Sequence, residues 1–400
     1  MAKQVMMIAM IAALAAGTAS AGAFSSNLSG HWSTNNHGTP QNTWGVGTGA
    51  VPGVDYPWAT DDSNPANDDT ATILTGHTVT INAYTGWGGA GAIWPQELTI
   101  ILDGGELKSY HIGGVNASPP VRSTIQVKQT STLSNKAGGG ALKINGAIQD
   151  FDGATTGNLV IGGGKSVEIG EFGKASYGFR SGFSGNWVIG DATVVCGWNA
   201  DPGTGNQIFG TGDLDINGGL VQFSKNAGSV PNNVTVGASG ATIKAYGTYG
   251  GISVTLDGLI SGSGVLTLDV AQPTGSLTLT NSATTVAGLK VSAGVVTLQD
   301  LGGGPADWDL SSTALTLTSG DLAYHTSITH TTVAALTLGG TPVDNGTYDI
   351  AAGTFGALNF SDYFNGVGTV TVGAPGGAIP EPAGLGLLGL ALLGVRRRRQ

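Results

Sequence analysis

Short runs in which apolar and polar residues alternate recur along most of this chain. They are Val79-Thr80-Ile81, Leu98-Thr99-Ile100, Ile125-Gln126-Val127, Leu142-Lys143-Ile144, Leu159-Val160-Ile161, Trp187-Val188-Ile189, Leu214-Asp215-Ile216 and Val234-Thr235-Val236. The series continues with Val254-Thr255-Leu256, Leu266-Thr267-Leu268, Leu277-Thr278-Leu279, Val296-Thr297-Leu298, Leu315-Thr316-Leu317, Leu336-Thr337-Leu338 and Val370-Thr371-Val372. Alternation at period two makes a strand with one buried and one wet face. Gly, Asn or Asp follows many of these phrases and supplies the positive φ of a sharp corner. The mean step of about 21 residues, with no helical period between phrases, predicts a solenoid whose stacked coils bury one another's apolar side chains. The steps from 254 to 266 and from 266 to 277 are short, as if two faces of one coil were being traversed. A row of β-sandwiches is the competing architecture, but it requires strands every 8 to 12 residues.

The two ends break the pattern. Lys3, the apolar run Val5 to Ala16 and the small residues Ala19-Ser20-Ala21 form a signal peptide, with cleavage expected after Ala21 and nearly as well after Ala23. At the other end, Ile379-Pro380-Glu381-Pro382 precedes an apolar run from Ala383 to Val395 and then Arg396-Arg397-Arg398-Arg399. Proline lacks an N–H and fixes φ, so a helix starts after Pro382. Thirteen residues span roughly 20 Å, short of the roughly 30 Å hydrocarbon core, which suits a transient anchor. The four arginines hold its end in the cytoplasm and leave the rest outside.

This order of Pro-Glu-Pro, short apolar helix and arginine cluster resembles the PEP-CTERM sorting signal. The resemblance implies that an exosortase, a membrane transpeptidase-like enzyme, recognises Pro380, Glu381 and Pro382, with Arg396, Arg397, Arg398 and Arg399 as the stop-transfer cluster. It also implies extracellular polysaccharide as the setting. The segment from Gly262 to Val296 resembles the autotransporter-associated β-strand repeat, which implies a right-handed parallel β-helix. An autotransporter also carries a C-terminal membrane barrel, whereas this chain has the arginine tail there.

Composition narrows the picture. Glycine is 69 of 400 residues and charged residues are 10%, against roughly 7% and 25% in ordinary domains, which favours strands and tight turns. Between Gly22 and Glu381 there are 26 acidic and 11 basic residues, too few cations to neutralise a nucleic-acid backbone. A single cysteine, Cys196, permits no internal disulfide and reads as core filler. The expected organisation is a signal peptide over 1–21, an N-terminal cap and first coil over 22–94, solenoid repeats over 95–374 and the sorting tail over 375–400. The cap reading rests on Trp32, Trp44, Trp58, Trp87 and Trp94, bulky enough to cover an open coil, with sugar stacking as the rival role.

Candidate chemistry is sparse. Asp61, Asp62, Asp68 and Asp69, with Asn64 and Asn67, make an oxygen-rich loop that suits calcium in ligand type but not in spacing. Asp300, Asp307 and Asp309 form a weaker acidic group. Arg122 and Arg180 are isolated, and His325 and His330 read as surface or turn residues. No catalytic residue is assigned and no cofactor is expected beyond that calcium. The sequence therefore predicts an all-β exported protein, first tethered to the inner membrane and then in the cell envelope or outside the cell. Its expected role is structural or adhesive, with envelope glycans or extracellular polysaccharide as partners. The alternative is a β-helix polysaccharide lyase or hydrolase.

Overall fold

The computed structural model describes residues 23–26, 30–31, 44–46, 70–82, 99–110, 124–135, 141–144, 146–153, 157–162, 166–170, 181–197, 208–224, 228–246, 251–270, 275–299, 306–318, 320–324 and 328–373. The expected signal helix, the tail helix and the tryptophans of the proposed cap, apart from the backbone of Trp44, lie outside these residues. Among the described residues the structure is all-β, and its helical pieces are two short 3-10 turns, Phe151–Gly153 and Phe360–Asp362.

Strands from successive coils pair in parallel along three ladders, which follow one another in the same chain order wherever all three are described. The first ladder runs through Ala23–Ser26, Thr70–Leu74, Thr99–Asp103, Thr124–Gln129, Ile148–Asp150 and Ser181–Gly182. The second runs from Gly30–His31 through Thr78–Asn82, Glu106–Tyr110, Ser131–Asn135, Leu159–Gly162, Trp187–Ile189, Leu214–Ile216 and Val234–Val236 into Ile260–Val270. The third begins at Leu142–Ile144 and climbs through Ser166–Ile169, Thr193–Cys196, Leu220–Phe223 and Ala241–Ala245. It continues in the long strands Ile260–Val270, Thr285–Leu298, Ala306–Leu317 and Ile328–Leu338.

Register shows how the coils bury their side chains. On the third ladder Leu142, Val167, Val194, Val221, Ile243, Leu268, Val291, Leu317 and Leu338 are successive partners, and all nine are buried. Each such side chain contributes about 1.5–3 kcal/mol on burial, and the coils above and below supply the cover. The first and third positions of the phrases are the inward ones wherever their side chains are described, as the period-two pattern requires, and the middle residues, Val160 and Val188 included, face outward.

The coil length varies, and many coils are longer than the phrase spacing suggested. Leu133, Ile161 and Ile189 are successive partners 28 residues apart, whereas Leu279 and Leu298 are 19 apart. Phrases fall on all three ladders, so neighbouring phrases often belong to one coil. Leu277 pairs with Val296, and Leu315 with Leu336, but Val296 and Leu315 lie on different ladders.

The first ladder is interrupted after Ser181–Gly182 and resumes at Gly228–Val230, continuing through Ser253–Leu256 and Ser276–Leu279. In the gap, Thr211 N–H bonds to Phe183 O at 2.9 Å. The interior there is filled by edge-to-face rings: Phe183 on Trp187, Trp187 on Phe209 and Phe209 on Phe223, with centroids 6.4, 5.4 and 6.3 Å apart. Aromatic bulk replaces the side chains that a strand would have sent inward.

At the C-terminal end the parallel ladders stop against antiparallel strands. Thr341–Val343 pairs with residues 336–338, and Gly346–Asp349 pairs with Thr369–Val372. Tyr348 stacks on Phe360 at 4.8 Å and Phe360 on Phe364 at 5.9 Å, with Phe360 buried in the core cluster. The phrase Val370-Thr371-Val372, expected to be one more coil, is the strand that joins the last parallel pair to this cap.

Leu279 is fully buried between Leu256 and Leu298, while Thr278 points outward. Leu279→Ala is expected to cost about 2–5 kcal/mol and Thr278→Ala within about 0.5. Chemical denaturation of the two variants checks this; equal losses would mean that the inward face has been misread.

Candidate functional site: the sorting tail and the polar seams

The residues singled out for sorting and export, Pro380, Glu381, Pro382, Arg396 to Arg399, Ala19 and Ala21, lie outside the described residues. So do Asp61, Asp62, Asp68 and Asp69, together with Asp300, Arg122, Arg180 and His325. Among the described residues no group of three or more His, Cys, Asp and Glu side chains is placed to hold a metal ion. Asp307 and Asp309 alternate on one strand, and Ser311 N–H bonds to Asp309 Oδ1 at 2.9 Å. The Ser311 hydroxyl, and then that backbone bond, hold the Asp309 carboxyl below its usual range.

The most regular polar feature is a seam at the turn that enters the second ladder. Asn158 Oδ1 accepts the N–H of Asn186 at 3.2 Å, and Asn186 Oδ1 accepts the N–H of Asp213 at 3.1 Å. Further along, Asn233 Oδ1 accepts the N–H of Leu259 at 3.0 Å. Asn232, 5% exposed, donates its amide to Gly210 O at 2.9 Å and to Gly212 O at 2.6 Å. Each amide joins one coil to the next and satisfies turn groups that the ladders leave unpaired. The glycine two residues before the phrase, at 157, 185 and 212, is required by close approach. A Cβ at Gly185 would lie 2.1 Å from Gly157 O, and one at Gly212 would lie 1.9 Å from Gly185 O.

This corrects the expected turn chemistry in part. On the second ladder Gly157-Asn158 and Gly185-Asn186 precede their phrases, and their work is backbone contact and side-chain hydrogen bonding. Positive φ after a phrase does occur, at Gly339 (55°) and Gly373 (81°).

Four lysines pair with carboxylates within the solenoid. Lys128 Nζ lies 2.8 Å from Asp103 Oδ2 and 5.4 Å from the centroid of the Phe151 ring, while Gln129 Nε2 donates to Asp103 Oδ1 at 2.6 Å. Lys143 pairs with Glu168 at 3.7 Å and Lys244 with Asp269 at 3.1 Å. Glu106, 3.8 Å from Lys108, also accepts the hydroxyls of Thr78 and Ser134. Pairs this exposed contribute at most about 1 kcal/mol each. Lys128, Lys143 and Lys244 thus bridge neighbouring coils, while Lys108 pairs within its own strand.

Two histidines have tightly defined surroundings. His77 Nδ1 is 2.8 Å from Ser26 Oγ, which also accepts the N–H of Leu74 at 2.9 Å. Ser26 is buried, and this serine and histidine fasten the first coil to the second. His330 lies at the surface, on a strand and not in a turn. It is half-buried within the strand Ile328–Leu338, with Nδ1 2.7 Å from Thr369 Oγ1 and Nε2 3.2 Å from Thr332 Oγ1. Neither contact was visible in sequence, because the partners of His330 come from the end-capping strand as well as its own.

The comparisons with known proteins address the tail. Residues 378–400 match the model of the PEP-CTERM protein-sorting motif. No curated protein and no solved structure matches the chain. The chain is thus a parallel β-solenoid that carries a PEP-CTERM sorting motif. That motif implies an exported protein, anchored in the membrane through its C-terminal tail before processing and recognised there by an exosortase.

Cys196 is fully buried between Ile169 and Phe223 on the third ladder, and burial pushes its thiol well above the usual range. An unfolded thiol ionises above about pH 8.5, while the folded one keeps its proton. Stability is therefore expected to fall by about 1.4 kcal/mol per pH unit above that point from this residue. Alkaline denaturation of the wild type and of Cys196→Val measures the difference. An unchanged slope in the variant, or rapid labelling of the native thiol, would contradict the assignment.

Proposed function

We propose that this chain is an exported structural or adhesive protein of the cell surface or extracellular matrix, delivered through its C-terminal tail. The observation that carries the proposal is the PEP-CTERM motif at residues 378–400 on a β-solenoid body. In this reading a signal peptide is cut beside Ala19 and Ala21. Residues 383–395 cross the membrane as a short helix, Arg396 to Arg399 stop transfer, and the exosortase cuts near Pro380-Glu381-Pro382.

The body acts by its surface rather than by catalysis. Support comes from the outward rows, where Thr242, Thr267, Lys290, Thr316 and Thr337 are successive partners on one face. Hydroxyls in register at a rung spacing of about 4.8 Å offer repeated hydrogen bonds to envelope glycans or extracellular polysaccharide. The autotransporter-associated repeat type fits the register in which Val265-Leu266-Thr267-Leu268 lies over Gly288-Leu289-Lys290-Val291. Right-handed winding follows the general rule for parallel crossovers. No cofactor is required, and any calcium would sit at Asp61, Asp62, Asp68 and Asp69.

Replacing Pro380-Glu381-Pro382 with alanines is expected to leave a full-length precursor in the inner membrane. Removing Arg396 to Arg399 is expected to release unprocessed protein, since the charges stop translocation. Fractionation and immunoblotting check both; normal processing of the triple-alanine variant would overturn the tail's role.

A further inference from the structure

Several polar side chains that face the core of this solenoid give their proton to a backbone carbonyl. Trp187, fully buried, donates its indole N–H to Phe209 O at 3.0 Å. Thr313, also fully buried, donates its hydroxyl to Val286 O at 2.8 Å, and Thr284 donates to Asn281 O at 2.9 Å. A polar group taken out of water keeps a hydrogen-bond partner as a rule, because losing it is costly.

Two groups in the last parallel coils break that rule, and they stand side by side. Trp308 Nε1 and Thr331 Oγ1 are buried and have no hydrogen-bond partner among the described residues. Both residues are 0% exposed, and they are register partners on the neighbouring strands Ala306–Leu317 and Ile328–Leu338. Their described neighbours along the core are apolar. Thr331 pairs onward with Val370, and two residues further along the strands lie Leu310, Val333 and Val372, all buried. On the other side Ala306 opposes Ile328 while Asp307 opposes His330, so Thr329 is an extra residue on its strand. A bulge of this kind bends the strand and disrupts the ladder locally, here directly before the two polar groups.

We propose that a single internal water molecule bridges the Trp308 indole and the Thr331 hydroxyl. The chemistry of the pair fits water. An indole N–H only donates, whereas a threonine hydroxyl both donates and accepts. Water accepts from Trp308 and donates to Thr331, two bonds that the apolar neighbours cannot make. Two polar partners meet the minimum that a buried water needs, whereas purely apolar interiors stay dry. The water joins the coil of Trp308 to the coil of Thr331, the one on which the antiparallel cap is built.

The test is magnetisation transfer from water to the indole protons of the full-length protein, made with isotope-labelled tryptophan. Loss of one signal in Trp308→Phe assigns that residue. Transfer to Trp308 Nε1–H is expected with opposite signs in the laboratory and rotating frames, the mark of a bound water as opposed to proton exchange. The Trp187 indole, bonded to Phe209 O, is expected to show none. Thr331→Val, an isosteric change, is expected to abolish the transfer at Trp308 and lower the Tm, while Thr331→Ser keeps the transfer. An unmoved Trp187 signal shows that the variants are folded. No transfer in the wild type, transfer of one sign in both frames, or equal transfer at Trp187 would overturn the proposal. So would full transfer in Thr331→Val, which lacks the hydroxyl, or its loss in Thr331→Ser, which retains it. A higher Tm for Thr331→Val would also overturn it, since an apolar isostere improves on a buried hydroxyl that has no partner.

Discussion

Everything described depends on the burial of inward side chains by the neighbouring coils. A single coil of 19 to 28 residues encloses too little volume to cover its own leucines and valines. Stacked coils do so because their registers keep each inward position over another, as in the line from Leu142 to Leu338. Strand pairing alone tolerates slippage, but a shift of one residue would turn that whole line toward water. The hydrophobic stack therefore fixes the register, and the register places every other feature.

The polar seam follows from the same constraint. Where the backbone turns from one ladder to the next, its N–H groups leave the parallel pattern and need partners of their own. Asn158, Asn186 and Asn233 supply them from the preceding coil, and the glycines at 157, 185 and 212 let the turns approach closely enough. The ends pose the converse problem, since a last parallel strand offers unpaired groups to any other chain. Residues 341–349 close that edge with antiparallel pairing and a small aromatic cluster. The cap also anchors the last strand before the sorting tail.

The sequence disclosed the solenoid because inward positions alternate strictly, and Leu277, Leu279, Leu315 and Leu317 all lie where that period sends them. It disclosed the tail because three unlike segments occur there in a fixed order. It did not disclose the coil length, since phrases on different ladders look alike and their spacing averages three faces together. The cap was equally hidden. Val370-Thr371-Val372 has the same alternation as any coil, and only its antiparallel partner, Gly346–Asp349, distinguishes it. The contact of His330 with Thr369 and the seam amides depend on residues 20 to 39 positions away, beyond the reach of a local pattern.

In-register stacking of parallel coils is the central claim, and engineered disulfides test it most directly. Thr255, Thr278 and Thr297 face outward as successive partners on the first ladder. Adjacent rungs bring Cα atoms to about 4.8 Å, within disulfide range, whereas two rungs separate them by about 9.6 Å. Cysteines at 255 and 278 should crosslink on mild oxidation of the folded protein, and cysteines at 255 and 297 should not. Crosslinking of the second pair in place of the first would show that the coils do not stack in this register.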